Sequence, residues 1–274
     1  MLIKLGYDIS LKIAFPTSII FVLRVHPSRR PDLVEAEDFW IEPNLDVEEY
    51  IDGFGNQCGR VNAPGGLVRF RNRAIIRDAG ELDPYEPDAA QHDVSELPVK
   101  TLSMLLPSRY CEVDSELLEF AWQTFGSTPT GWPRVAAICD FVHHHLTFDY
   151  LQARANRTAL DAFRERVGVC RDFTHLAVTL CRCMNIPARY VTGYLGDIGV
   201  PRDPNPMDFS AWLEVFLGYQ WYAFDARHNR RRVGRVVIGR GRDAGDVPLT
   251  MVFGQHTLAH FEVTTEEALA ESRL

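Results

Sequence analysis

Apolar and polar residues alternate along most of the first hundred positions of the chain. The segments LIKLGYDISLKI (2–13), SIIFVLRVH (18–26) and GLVRFRNRAIIRD (66–78) follow this pattern and are rich in β-branched residues. A period of two predicts strands that bury one face. No stretch with helical spacing interrupts the series, so the pattern predicts an N-terminal β-sandwich-like domain over 1–105.

The apolar spacing becomes that of helices after residue 110. Four stretches place their apolar residues on one face, over 114–126, 131–146, 158–168 and 170–184. Thr158 and Asp161 have the spacing of a capping box, and Gly168 is suited to end the third helix. Pro187 disfavours helix at the residue before it, which predicts the end of the fourth.

Strands return in the last third of the chain. ARYVTGYLG (188–196), AWLEVFL (211–217) and QWYAFDA (220–226) alternate again. Gly218 and Tyr219, between the last two, predict a hairpin. A two-residue turn there places Ser210, Trp212 and Asp225 on one face, because side chains alternate along strands. Helices followed by antiparallel strands predict a second domain over 106–274 and an α+β fold class.

Charge and cysteine usage narrow the classes of function. The formal net charge of −8 argues against a general nucleic-acid binder, which needs a positive surface. The N-terminus lacks the pattern of a signal peptide, and the most apolar run is short and contains Arg24, so no membrane attachment is expected. The cysteines form no C-x-x-C pair, which favours free thiols and a cytoplasmic location.

Cys170 is a candidate nucleophile. It falls at the predicted start of a helix, where free N–H groups and the helix dipole stabilise a thiolate. The same N–H groups, including that of Cys170, could stabilise an oxyanion. Gly168 allows a tight turn just before it, and Arg171 adds positive charge. The alternative is a small buried apolar residue, as many free cysteines are.

The motifs resemble those of the transglutaminase-like superfamily, whose core is papain-like. The resemblance rests on GVCRDFTHLAVTLC (168–181) and SAWLEVFLGYQWYAFDARHN (210–229). It implies a Cys–His–Asp triad in which Cys170 is the nucleophile and Asp225 the orienting acid. The position that matches the histidine is Ser210, whose hydroxyl titrates far too high to act as a base near neutral pH.

Other imidazoles could take the place of the missing histidine. His228 follows Asp225 by three residues and would face away in an extended strand, although a bend in the segment ARHN would bring it back. His175 lies five residues after Cys170 and points around the helix from it. Three consecutive histidines, 143–145, span about 200° of a helix and cannot converge on a metal ion.

Candidate substrate-binding residues surround this core. Trp212 shares the predicted face of Ser210, Tyr150 precedes the cysteine helix, and Arg227 and His228 follow Asp225; for the aromatic residues, packing is the alternative. Seven arginines lie between residues 227 and 242. They favour an acidic peptide or protein substrate, with a solvated strand face as the alternative.

Two hypotheses of function follow from these residues. The first is a cysteine-dependent amide or isopeptide hydrolase, or an acyl transferase, that acts through a Cys170 thioester. The second is a catalytically degenerate binding module, because Ser210 stands where the resemblance implies histidine. No metal or organic cofactor is implied, and the oligomeric state is open.

Overall fold

The computed structural model describes residues 1–268. Its helices are α1 (Glu116–Phe125), α2 (Trp132–His145), α3 (Ala159–Glu165) and α4 (Cys170–Cys183). Its strands are β1 (Leu2–Ile13), β2 (Thr17–Phe21), β3 (Asp38–Glu42), β4 (Glu48–Ile51), β5 (Gln57–Ala63), β6 (Gly66–Arg77), β7 (Thr147–Phe148), β8 (Val167–Gly168), β9 (Ala188–Tyr194), β10 (Ser210–Leu217), β11 (Gln220–Phe224), β12 (Val236–Gly241), β13 (Thr250–Val252) and β14 (His256–Glu267). Short 3-10 turns cover Pro27–Asp32, Val94–Glu96, Val99–Leu105 and Tyr150–Gln152.

Two four-stranded antiparallel sheets form the predicted N-terminal β-sandwich. One has the strand order β14-β1-β6-β3 and the other β13-β2-β5-β4. Alternate residues of β1 and β6 are buried between them, as the period of two predicted. Phe21 of the second sheet meets Phe70 of the first at 5.2 Å between ring centroids. The N-terminal pattern is therefore confirmed.

The C-terminal strands join this sandwich. β14 pairs with β1 over almost its whole length, and β13 pairs with β2. The sequence analysis placed both strands in the second domain (106–274), whereas their neighbours belong to the first. The division of the chain at residue 105 stays a prediction.

A third antiparallel sheet, in the order β11-β10-β9-β12, carries the helices on one face. Leu213, Val215 and Leu217 of β10 point into the apolar core that this sheet shares with α1, α2 and α4. Trp212 lies on the opposite face with Val191 and Val237. The sheet therefore separates two cores, and the α+β class is confirmed.

Two of the predicted local signals are confirmed and one is wrong. Gly168 does not end the third helix: α3 ends at Glu165, Arg166 is its left-handed C-cap, and Gly168 belongs to β8. Leu217 pairs with Gln220 and Phe216 with Trp221 across the turn at Gly218 and Tyr219. Thr158 and Asp161 make both hydrogen bonds of the capping box at α3. In the part of the chain that the structure describes, no helix has the length and apolarity needed to cross a membrane.

We predict that Gly193→Ala destabilises the fold. A Cβ at Gly193 would lie 2.1 Å from the Val236 carbonyl oxygen and 2.9 Å from the Trp212 ring. Overpacking of this kind costs about 1–3 kcal/mol in the free energy of unfolding. Urea denaturation of the purified variant measures it.

Gly53→Ala is the matched control, because no atom lies within 4 Å of a Cβ placed there. Equal stabilities of the two variants would show that β9 and β12 separate easily at Gly193.

Candidate active site

The first turn of α4 is fixed by a buried carboxylate. Asp172 is fully buried, accepts a hydrogen bond from the Val169 N–H at 3.0 Å, and pairs with Arg157 at 3.1 Å. A Cβ at Gly168 would lie 2.6 Å from the Asp172 Cβ. Glycine is therefore required before Cys170, because a larger residue would displace the carboxylate that caps this helix.

Cys170 is the first residue of α4, as predicted, and is partly exposed, whereas the other five cysteines are buried. Its Sγ–H donates to the Phe209 carbonyl oxygen at 3.9 Å. Burial of the sulfur and then the Asp208 carboxylate raise the pKa of Cys170 to about 11, although Arg227 and the N–H groups of Ala211 and Arg171 oppose this. The thiol is therefore protonated at neutral pH.

The chain bends sharply directly after β11. The β10–β11 ladder ends at Leu213 and Phe224, and a turn follows Asp225. Asp225 Oδ1 accepts from the His228 N–H at 2.9 Å, and the Asn229 N–H donates to the Asp225 carbonyl oxygen at 2.8 Å. This turn reverses the direction that an extended strand would give to His228.

The bend forms an Asp–His pair. His228 Nδ1 lies 2.9 Å from Asp225 Oδ2. Burial raises the pKa of Asp225, but the Arg235 guanidinium and the His228 hydrogen bonds outweigh it and hold that pKa well below its usual range. An ionised carboxylate only accepts, so Nδ1 carries the proton and Nε2 is the nitrogen left for chemistry.

Ser210 lies at the beginning of β10, next to Phe209. It is buried, and its Oγ has no hydrogen-bond partner among the described residues. Asp225 Oδ2 is occupied by His228 and by Arg235 Nη2 at 3.0 Å. The hydroxyl of Ser210 therefore does not take the place of an imidazole on Asp225.

A cavity of about 610 Å³ brings several predicted residues together. Its volume lies in the range of small-molecule and cofactor sites. Tyr150, Ser210, Arg227 and His228 line it, and Phe209, which accepts the Cys170 hydrogen bond, forms part of the wall. Arg227 lies over the Phe148 ring at 3.8 Å, which orients its guanidinium.

The structure does not bring Trp212 to this cavity. Trp212 is buried on the far face of the third sheet, with the Arg235 guanidinium 5.0 Å from its ring. Its alternation with Ser210 was predicted correctly, but the sheet turns its ring into the core, so the structure does not support a substrate-binding role. The position of Trp212 fits the alternative given for it in the sequence analysis, a role in packing.

Much of the arginine cluster is used inside the chain. Arg235 bonds Asp83 and Asp225, Arg232 donates to the Gly196 carbonyl oxygen, and both arginines are buried. Arg231 donates to the Asp83 carbonyl oxygen. An acidic substrate stays a prediction. Fewer arginines of this cluster are free to bind it than the sequence suggested, because these three already bond groups of the chain.

Asp208 is a candidate site residue that the sequence analysis missed. It lines the cavity beside Phe209, and burial raises its pKa to about 6. It also contributes to the raised pKa values of Cys170 and Tyr150. No local pattern marks this residue, because its partial burial depends on how the irregular segment between β9 and β10 packs.

The other histidines that the sequence analysis weighed as replacements or metal ligands make contacts elsewhere in the chain. His175 is buried, accepts from the Ala244 N–H at 3.1 Å, and stacks on Tyr110. His143 Nδ1 lies 2.8 Å from the Arg227 carbonyl oxygen and so supports the turn that holds His228. His144 and His145 bond Asp140 and Phe163, so the three histidines do not converge.

Comparisons with known proteins agree with this geometry. The transglutaminase-like superfamily model matches residues 120–226. An uncharacterized protein of Mycobacterium leprae is 30% identical over 231 residues, which cover 79% of this chain and 80% of that protein. The chain belongs to the transglutaminase-like superfamily. The superfamily match includes Cys170, Ser210 and Asp225 but ends before His228.

A solved structure has the same fold over nearly the whole chain. It is described as "a Putative Cysteine Protease from Cytophaga hutchinsonii" and is 30% identical, with a TM-score of 0.82 over 97% of this chain and 90% of that one. The fold of at least one relative therefore includes the N-terminal sandwich.

A Mycobacterium tuberculosis protein is 34% identical over 92 residues, 30% of this chain and 29% of that protein.

We predict that Asp208→Asn makes Cys170 react faster with iodoacetamide. Removal of the negative charge lowers the pKa of Cys170, so the rate at pH 8.5 rises roughly three- to tenfold, where tenfold is about 1.4 kcal/mol. The difference from the unmodified protein shrinks as the pH falls through about 6, because Asp208 is then protonated. Peptide mapping after limited labelling measures the rate at each cysteine.

Asp203→Asn is the control, because Asp203 also lines the cavity but is exposed. Equal rates for the two variants and the unmodified protein would mean that Asp208 does not act on the thiol.

Proposed function

We propose that the protein is a cysteine-dependent amide hydrolase or acyl transferase in which His228, oriented by Asp225, takes the proton of Cys170. The observation that carries this proposal is the Asp225–His228 pair. His228 lines the same cavity as Phe209, the residue whose carbonyl oxygen accepts the Cys170 hydrogen bond. Membership in the superfamily and the similarity to the Cytophaga hutchinsonii structure support cysteine chemistry.

Acylation of Cys170 needs two proton transfers, and His228 takes part in both. His228 Nε2 accepts the Cys170 proton while the sulfur attacks the carbonyl carbon of an amide, and the imidazolium then protonates the leaving amine. Water or a second amine, deprotonated by the same Nε2, then attacks the thioester carbonyl. The C–S bond breaks, the acid or the new amide leaves, and the proton returns to the Cys170 sulfur. The N–H of Cys170, at the beginning of α4, supports the oxyanion of both tetrahedral intermediates.

The pair must approach the thiol during the reaction. Among the described residues, His228 makes no hydrogen bond with Cys170, whose hydrogen bond goes to Phe209. Catalytic hydrogen bonds are often long before substrate binds and shorten in the complex. A substrate carbonyl beside Cys170 would displace the Phe209 contact and leave the thiol proton to His228.

A non-catalytic binding module is the second candidate. Two observations favour it: the pKa of Cys170 is raised to about 11, and the position of the superfamily histidine holds Ser210. In that case the cavity would bind a peptide without forming a thioester.

We predict that His228→Gln slows acylation of Cys170 by roughly a hundredfold or more, the usual contribution of a general base. The probe is p-nitrophenyl acetate, with acylation measured by nitrophenolate release and by the mass of the intact protein. Cys170→Ala should abolish the mass increase. His144→Gln is the control, because His144 is exposed and its side chain is 70% accessible.

An unmodified protein that acylates no faster than a free cysteine peptide would favour the binding module. Equal rates in His228→Gln and His144→Gln would remove His228 from the reaction.

A further inference from the structure

The edge of β14 that pairs with no other strand runs beside the candidate active site. β14 is the outermost strand of its sheet, and β1 is its neighbour. Phe261, Glu262 and Val263 of this strand line the cavity. The Phe261 ring lies 6.0 Å from that of Phe209, the residue that accepts the Cys170 hydrogen bond.

Backbone groups of alternate β14 residues point away from β1. The Thr265 N–H donates to Met207 Sδ at 2.9 Å rather than to Leu5, its register partner. A Cβ at Gly196 would lie 2.4 Å from the Thr265 carbonyl oxygen, so that oxygen also points outward. Along an antiparallel strand, residues alternately point their backbone groups toward the neighbouring strand and away from it. The N–H and C=O of Val263 and Phe261, two and four residues before Thr265, therefore face outward too.

The outward groups of Val263 and Phe261 are unpaired within the described part of the chain, although Val263 is only 5% exposed and Phe261 is partly exposed. Thr265 is closed off by Met207 and Gly196, but no described residue hydrogen-bonds the outward groups of Val263 or Phe261. Phe261 and Val263 both line the cavity, so the unpaired N–H and C=O groups of these two residues adjoin it. Such an edge is a ready template for another strand.

We propose that the substrate is an extended polypeptide that adds to the edge of β14 at Phe261 and Val263. The inference rests on the proposed function, since the added strand would present its carbonyl to Cys170. Strand addition supplies backbone hydrogen bonds that a small amide cannot make. The substrate class is thus a polypeptide segment in extended conformation.

The charges around this edge favour basic side chains on the added strand. Glu262 and Glu266 are exposed on the outer face of β14, and Asp203 and Asp208 line the same cavity. Opposite charges on adjacent strands stabilise pairing. Arg202, Arg227 and Arg232 also line the cavity, but Arg232 already lies 3.7 Å from Asp197. This preference differs from the acidic substrate predicted from sequence.

Peptide binding to the Cys170→Ala protein tests the inference without any chemistry. The probes are two fluorescein-tagged twelve-residue peptides with a central glutamine, one alternating threonine with lysine and the other threonine with glutamate. We expect the lysine peptide to bind, measured by fluorescence anisotropy, and the glutamate peptide to bind more weakly. We also expect a series of lysine peptides, each N-methylated at one backbone amide, to bind more weakly when the methyl group is at every second position, the period of a strand.

Val263→Pro, made in the Cys170→Ala background, removes one outward N–H, and Val263→Ala is its matched control because it keeps that N–H. We expect the proline variant to bind the lysine peptide about tenfold more weakly, since proline cannot donate, and the alanine variant to bind normally. Should the proline variant fail to fold, the N-methyl series on the unaltered edge decides.

Several outcomes would overturn the inference. They are failure of both peptides to bind, equal effects of N-methylation at all positions, and a concentration-dependent dimer that Val263→Pro abolishes, which would make a second copy the occupant. Acylation by p-nitrophenyl acetate without peptide binding would overturn the edge site alone. Peptide binding without acylation would support it and overturn the proposed chemistry.

Discussion

The buried carboxylate of Asp225 is the group on which the site depends. Its side chain is 1% exposed and is held by Arg235 and by two hydrogen bonds from His228. Removing one partner of a buried ion pair typically costs about 3–5 kcal/mol, so these contacts constrain the chain strongly. Arg235 also bonds Asp83 and lies over Trp212, which ties the segment before α1 to the far face of the third sheet.

In the proposed mechanism, the same carboxylate allows a superfamily site to carry serine at position 210. An imidazole from β10 and an imidazole from the turn after β11 would compete for one oxygen of Asp225. Here the His228 ring bonds Asp225 Oδ2 through Nδ1, and the His228 backbone N–H donates to the other oxygen, Oδ1. Ser210 also lines the cavity.

Local patterns predicted the helix that begins at Cys170 and the register of the β10–β11 hairpin, because both depend on neighbouring residues. They left the bend after Asp225 only as an alternative, because strict alternation continues a strand beyond its true end. The available signal was Asp225 itself, since an aspartate can start a turn. The pairing of β14 with β1 joins opposite ends of the chain. Neither this pairing nor the burial of Asp208 has a local signature.

The central claim is that an imidazole on Asp225 serves Cys170, whichever strand or turn supplies it. The most direct measurement is the rate of Cys170 acylation in the double variant Ser210→His with His228→Gln, compared with His228→Gln alone. The account predicts that the new histidine recovers much of the lost rate, because it can bond the oxygen that His228 vacates. A double variant as slow as His228→Gln, with its fold intact, would contradict the account.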